Sequence, residues 1–167
     1  GTANPASVTM DASKRIEATF RATGGTVYLA NRNLAIGLDA PIFDIDGTTR
    51  LAGDGYVAQL YAGPTAETLA PVGAPMPFRT AEGAGYFYSE TRSIPTVAAG
   101  AVAWVQVRSW RVADGATYEA ALAAKGRRGT SSILSITTGN VGSPPSLPTG
   151  LLGLTSFKLQ LSAPPAI

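Results

Sequence analysis

The chain has 167 residues, about the size of one domain, and 45% of them are apolar, so it can bury a core without disulfides. Charged residues make up only 14%, whereas 19 glycines and 12 prolines give the composition of a turn-rich β-protein. Cysteine and histidine are both absent, which excludes disulfide frameworks, thiolate or imidazole metal sites and every catalytic triad that needs either residue.

The formal net charge is +2 and the basic residues are dispersed. The basic clusters, at residues 14–15 and 127–128, are too small to neutralise the several phosphates that nucleic-acid binding requires, so we expect no nucleic-acid partner. No apolar run approaches 18 residues, so no membrane span is predicted. The chain begins with Gly1 and no leader, which indicates a processed product or a fragment.

Residues 1–20 have the pattern of a separate β-hairpin segment. Val8 and Met10 precede a turn, after which Ile16, Ala18 and Phe20 alternate with polar residues. We expect these five apolar side chains to contact a neighbouring subunit or module, because an amphipathic strand needs a partner. The alternative is that the hairpin packs as an edge of its own sheet.

Period-2 alternation continues through residues 21–162. Strands are predicted over residues 25–31, 40–45, 55–62, 77–80, 84–90, 101–112, 132–138 and 155–161. This count predicts an all-β fold, an antiparallel β-sandwich of immunoglobulin-like or jelly-roll shape.

One segment has the composition of a helix instead. Residues 117–125 are good helix formers, with Thr117 as the N-cap and Gly126 as the C-cap, which predicts about two turns. Residues 139–153 contain three prolines and are predicted to form an extended connector. Residues 163–167 are predicted to form a Pro-rich tail.

Asp44, Asp46 and Asp54 form the candidate metal site. Asp44 and Asp46 belong to a DxDG turn, and carboxylates two residues apart before a glycine can face one calcium ion. The remaining ligands of an EF-hand loop are missing, because Gly55 occupies the position of its last glutamate. The alternative, an ordinary Asx turn between strands, is therefore favoured. No other cofactor is expected.

Trp104, Arg108 and Trp110 form the candidate ligand site. They share one face of the longest predicted strand, where two indoles flanking an arginine could stack on a carbohydrate. The alternative is that the predicted helix or a loop covers the indoles and that a carboxylate holds Arg108. That alternative is favoured because large aromatic side chains of sandwiches usually lie in the core.

The sequence gives little indication of catalysis. Glutamates are available for glycoside hydrolysis, but nothing in their spacing singles out a pair. The GxSxG, SxxK, P-loop and dinucleotide-binding motifs are absent. We therefore expect a protein that is not an enzyme.

Two stretches resemble bacterial families. VTMDASKRIEATF, residues 8–20, resembles the closing strands of a divergent internalin-type B-repeat. Residues 25–157, with GTVYLAN, APIFDIDGTTRLAG, GYVAQLYAGP, VQVRSW and LPTGLLGLTSF in order, resemble an uncharacterised β-rich domain of large exported proteins of Verrucomicrobia-like bacteria. The resemblance implies an extracellular or cell-surface setting and assigns no catalytic residue.

Together these observations predict a non-catalytic structural or adhesive module of an extracellular bacterial surface protein. The absence of cysteine and the presence of only three lysines are typical of exported bacterial proteins. The expected partners are further copies of the chain or neighbouring modules, assembled into a filament by strand exchange. The alternative function is a carbohydrate-binding module.

Overall fold

The computed structural model describes residues 24–140 and 144–161. The strands are β1 (Gly24–Leu29), β2 (Arg32–Asn33), β3 (Leu38–Asp39), β4 (Tyr56–Gly63), β5 (Ala70–Pro77), β6 (Glu90–Ala98), β7 (Val102–Arg111), β8 (Arg128–Thr130), β9 (Leu134–Thr137) and β10 (Thr149–Gly150). One α-helix, α1 (Tyr118–Ala123), and three 3₁₀ turns, Leu34–Ile36, Ala81–Gly83 and Val112–Asp114, complete the described elements. The fold is therefore all-β and sandwich-like with one short helix, as predicted.

The described strands form three sheets. The largest has the order β5-β4-β7-β8, and β9 pairs with β7 beside β8. The second has the order β10-β1-β6, and β2 pairs with β3 in a small hairpin. The central pair of the large sheet, β4 and β7, is antiparallel and in continuous register from Tyr56↔Arg111 to Gly63↔Trp104.

The core lies between the large sheet and the three-stranded sheet. Alternate side chains of β4 and β7 are buried there because successive residues of a strand point to opposite faces. Each sheet contributes to one hydrophobic cluster, which includes Ala58, Leu60, Ala62, Ala103, Val105 and Val107 from the large sheet and Val27, Leu29 and Ile94 from the other.

The helix α1 covers the opposite face of the large sheet. Thr117 is its N-cap, as predicted, and the Thr117 hydroxyl accepts a hydrogen bond from the Ala120 N–H at 3.1 Å. The predicted C-cap, Gly126, is wrong: Ala124 occupies that position and Lys125 adopts the left-handed conformation, with φ of 55°. Gly126 instead packs against Asp114, where a Cβ atom would lie 2.3 Å from the Asp114 Cβ.

Several predicted strands need correction. β5 and most of β6 were not expected, because prolines argue against strands. Both lie at sheet edges, where a proline removes no ladder bond if its N–H would face away from the neighbouring strand. Residues 40–45 and 155–161 form isolated bridges rather than strands, including the pair Phe43↔Lys158. The sandwich is also not purely antiparallel, since β1 and β10 are parallel.

The predicted N-terminal segment, residues 1–20, and the predicted tail, residues 163–167, lie outside the described residues. None of the helices in the described part is long and apolar enough to cross a membrane.

Candidate functional site

Asp46, the second carboxylate of the candidate calcium site, closes its own turn. Its Oδ1 accepts hydrogen bonds from the N–H groups of Thr48 at 2.9 Å and Thr49 at 2.8 Å, and its Oδ2 accepts one from the Thr49 hydroxyl. These bonds, led by that of the Thr49 hydroxyl, lower the pKa of Asp46 from 3.8 to about 2. The turn is thus the Asx turn that the sequence offered as the alternative.

Asp44, two residues earlier, belongs to a different network. Its Oδ2 accepts hydrogen bonds from Arg127 Nη1 at 2.5 Å and from the Tyr56 hydroxyl at 2.8 Å. Burial, followed by this bond to Asp44, raises the pKa of Tyr56. The buried Asp44 side chain thereby ties the turn to the segment that follows α1.

The structure does not bring the three predicted metal ligands together. Asp54 is exposed in the turn before β4, and within residues 24–140 and 144–161 no three acidic side chains form a group that could hold a metal ion. Calcium binding by Asp44, Asp46 and Asp54 stays a prediction, one that their separate partners do not favour.

Trp110, one of the two predicted carbohydrate-stacking residues, is completely buried. Its Nε1 donates a hydrogen bond to the Gly115 carbonyl oxygen at 2.9 Å, and its ring meets the Tyr118 ring edge-on at 6.3 Å. The favoured alternative therefore holds for Trp110, which α1 covers, while Trp104 is half-buried, so the two indoles do not form an exposed pair. A sugar ring cannot reach the face of Trp110 in this conformation.

Arg108, between the two indoles, is held under the helix as well. Its guanidinium carbon lies 3.9 Å from the centre of the Tyr61 ring and 5.0 Å from that of Tyr118. Its Nη1 lies 3.4 Å from a carboxylate oxygen of Glu119, which also accepts a hydrogen bond from the Tyr61 hydroxyl. Burial raises the pKa of Tyr61 far above its usual value, and the bond to Glu119 adds to the effect. Arg108 therefore fastens α1 to the sheet.

The open edge of β9 is a feature that the sequence did not single out. The Thr138 N–H donates to the Ala101 carbonyl oxygen at 2.9 Å, so the alternation of antiparallel bonds places the next ladder bonds at Ile136 and Leu134. Ser135 and Thr137 then direct their N–H and C=O groups away from β7. No described residue hydrogen-bonds to these outward groups.

A groove of about 490 Å³ runs beside this edge. One wall is residues 135–138, and the other comes from the connector, with Leu147 and Leu152 among its side chains. These two leucines are 88% and 65% exposed. The connector is fixed to the end of β9 because the Ser146 N–H donates to the Asn140 carbonyl oxygen at 2.7 Å. Two leucines within a Pro-rich connector are the sequence signal that could have indicated this groove.

The described chain begins at the end of the groove. Gly25 packs so closely on the Thr138 side chain that a Cβ atom on it would lie 2.1 Å from the Thr138 hydroxyl oxygen. Thr26 and Gly139 exchange two backbone hydrogen bonds, of 3.0 and 2.7 Å. The start of β1 therefore lies beside the end of β9. The predicted intersubunit residues, Val8, Met10, Ile16, Ala18 and Phe20, lie outside the described residues.

Comparison with known proteins adds no assignment. No family model, curated protein or solved structure matches this sequence.

Proposed function

We propose that this protein is a non-catalytic structural module that associates with its neighbours by β-strand addition. Residues 8–20 of one copy pair with the open edge of β9 in the next copy. The observation that carries this proposal is the pair of outward-facing residues, Ser135 and Thr137, whose backbone groups bond to no described residue and lie beside the exposed Leu147 and Leu152.

The amphipathic pattern of the N-terminal segment is complementary to this groove. Ile16, Ala18 and Phe20 fall on one face of an extended strand, and that face can cover Leu147 and Leu152. Burial of an isoleucine or phenylalanine side chain contributes about 1.5 to 3 kcal/mol, and each backbone hydrogen bond adds about 1 kcal/mol. Several such contacts formed at once oppose the loss of translational and rotational freedom on association.

Addition of this kind joins two different surfaces, the donor segment of one copy and β9 of the next. Repeated contacts between unlike surfaces build a filament if the rotation between copies does not close into a ring. Between Phe20 and β1 lie only Arg21, Ala22 and Thr23, which span about 10 to 14 Å when extended. The short link keeps adjacent modules close.

The setting that we propose is the surface of a bacterium, where such a module would serve a structural or adhesive role. The composition without cysteine and the resemblance of residues 8–20 to an internalin-type repeat support it. The carbohydrate-binding alternative loses its support at Trp104, Arg108 and Trp110, since Trp110 is buried and Arg108 is engaged with Glu119.

Crosslinking between two single-cysteine variants tests the proposal directly, because the chain has no cysteine of its own. Thr19→Cys marks the polar face of the donor segment, and Thr137→Cys marks the edge of β9. Mixed and treated with a short bismaleimide, the two variants are expected to give a crosslinked dimer. Lys125→Cys, at an exposed position just after α1, replaces Thr137→Cys as the control acceptor.

Crosslinking of Thr19→Cys to Lys125→Cys at the same rate as to Thr137→Cys would overturn the proposal. A double variant, Thr19→Cys with Thr137→Cys, that crosslinks only within single molecules would also overturn the proposal. The N-terminal segment would then pack on its own sheet.

A further inference from the structure

Three arginines surround two tyrosines beside the β2–β3 hairpin, and none of these five residues lines the groove. The guanidinium carbons of Arg32 and Arg50 lie 5.0 and 5.6 Å from the centre of the Tyr86 ring. That of Arg79 lies 5.5 Å from the centre of the Tyr88 ring. We call these five residues the arginine–tyrosine cluster. The arginines are far apart in sequence, and only the fold brings them together.

The cluster has an excess of positive charge. Arg92, Arg108, Arg111 and Arg127 each form an ion pair with a carboxylate, whereas Arg32, Arg50 and Arg79 form none with any described residue. Asp39 is the acidic residue bonded to the cluster, and it accepts a hydrogen bond from the Tyr86 hydroxyl at 2.5 Å. Three guanidinium groups and one carboxylate leave positive charge that a bound anion can neutralise.

A small cavity of about 70 Å³ opens between Arg32 and Arg79. Ser89 also lines it, and the Ser89 hydroxyl oxygen accepts a hydrogen bond from Tyr28 at 3.0 Å, which leaves its own hydrogen free to donate. The cavity is about twice the volume that one water molecule takes in the liquid, so it suits a single carboxylate group. Its charged and hydroxyl side chains are hydrogen-bond donors.

The wall of this cavity is rigid. Asn31 is buried, and its side-chain nitrogen donates to the carbonyl oxygens of Ala40 at 2.9 Å and Gly85 at 2.8 Å. Its side-chain oxygen accepts from the Phe87 N–H at 3.2 Å. These three bonds fix the segments that carry Arg32 and Tyr86, so the cluster is organised before any ligand binds.

We propose that the arginine–tyrosine cluster binds a carboxylated polysaccharide. The planar guanidinium fork matches a carboxylate, and a polymer that carries one carboxylate on each sugar offers a carboxylate to more than one of the three arginines. Tyr88, a residue that is 54% exposed, offers a ring on which a pyranose can stack. The site is independent of the strand addition proposed above and uses none of the predicted carbohydrate-binding residues.

Binding of the full-length protein to polygalacturonate, measured by affinity electrophoresis with neutral dextran as reference, tests this proposal. We expect polygalacturonate to retard the protein and dextran not to retard it. The double variant Arg32→Gln with Arg79→Gln is expected to weaken binding at least tenfold. Its control, Lys125→Gln with Lys158→Gln, removes the same charge from exposed positions outside the cluster and is expected to change binding less than twofold.

Tyr88→Leu tests whether binding depends on a sugar ring as well as on negative charge. We expect it to weaken binding of polygalacturonate but not of polyglutamate, which has no sugar ring to stack. Equal weakening by the arginine and lysine double variants would overturn the proposal, because attraction would then follow net charge alone. Binding of polyglutamate or single-stranded DNA as tightly as polygalacturonate would also overturn it.

Discussion

Asp44 and Asp46 are two residues apart, yet their carboxylates have different partners. Asp46 bonds within its own turn, to Thr48 and Thr49, and this Asx turn follows from the local DxDG pattern. Asp44 bonds to Arg127, which is 83 residues away in the chain. Local chemistry alone therefore predicts the first partner set, whereas the second depends on the tertiary fold.

The charge of Asp46 is expected to make the stability of the fold depend on pH. Because its pKa is lowered to about 2 in the folded protein, its charge stabilises the fold above the ordinary aspartate pKa near 4. That contribution is lost as the pH falls through about 2. Asp46→Asn keeps the oxygen acceptor but lacks the charge, so the wild type should melt at a higher temperature than the variant at pH 5. The two melting temperatures should converge near pH 2.

Thermal unfolding followed by circular dichroism measures this difference. A difference in melting temperature between wild type and variant that stays constant from pH 5 to pH 2 would contradict the role assigned to the Asp46 charge. Repeating the pH 5 measurement with a chelator distinguishes calcium binding from hydrogen bonding within the turn. If Asp46 binds calcium, chelation lowers the melting temperature of the wild type but not of the variant.

At the scale of elements, α1 was predictable because its signals are local. Thr117 provides the cap, and the following residues are good helix formers. The sequence favours the covering of Trp110 because large aromatic side chains usually lie in the core, but it does not show whether the helix or a loop provides the cover. The sequence does not predict β5 and most of β6, because their prolines argue against a strand unless it lies at the edge of a sheet. Edge position is a property of the whole sheet and cannot be recognised from local sequence.

The N-cap of α1 gives a prediction for a single element. Thr117→Ala removes the acceptor of the Ala120 N–H and should lower the free energy of unfolding by about 1 kcal/mol. Thr117→Ser keeps a hydroxyl at the same place and should stay within a few tenths of a kcal/mol of the wild type. Urea unfolding measures both. Equal losses in the two variants would show that the cap hydroxyl does not stabilise the helix.

At the scale of the whole molecule, the sequence predicts the all-β sandwich but not its surface sites. Alternation identifies strands such as β7, and their number points to two packed sheets. The groove joins β9 to a connector with leucines at positions 147 and 152, and the arginine–tyrosine cluster joins three distant segments. The leucines of the connector are the one local signal of the groove, and the cluster has no local spacing by which it could be recognised.

Sedimentation velocity of the full-length protein over a range of concentrations tests strand addition at β9 most directly. Thr137→Pro removes an outward N–H without removing a bond to β7, and Thr137→Ala keeps that N–H as the matched control. We expect the wild type and Thr137→Ala to form larger species as concentration rises, while folded Thr137→Pro stays monomeric. A wild type that remains monomeric at the highest concentration, or a Thr137→Pro variant that associates equally, would contradict the proposal.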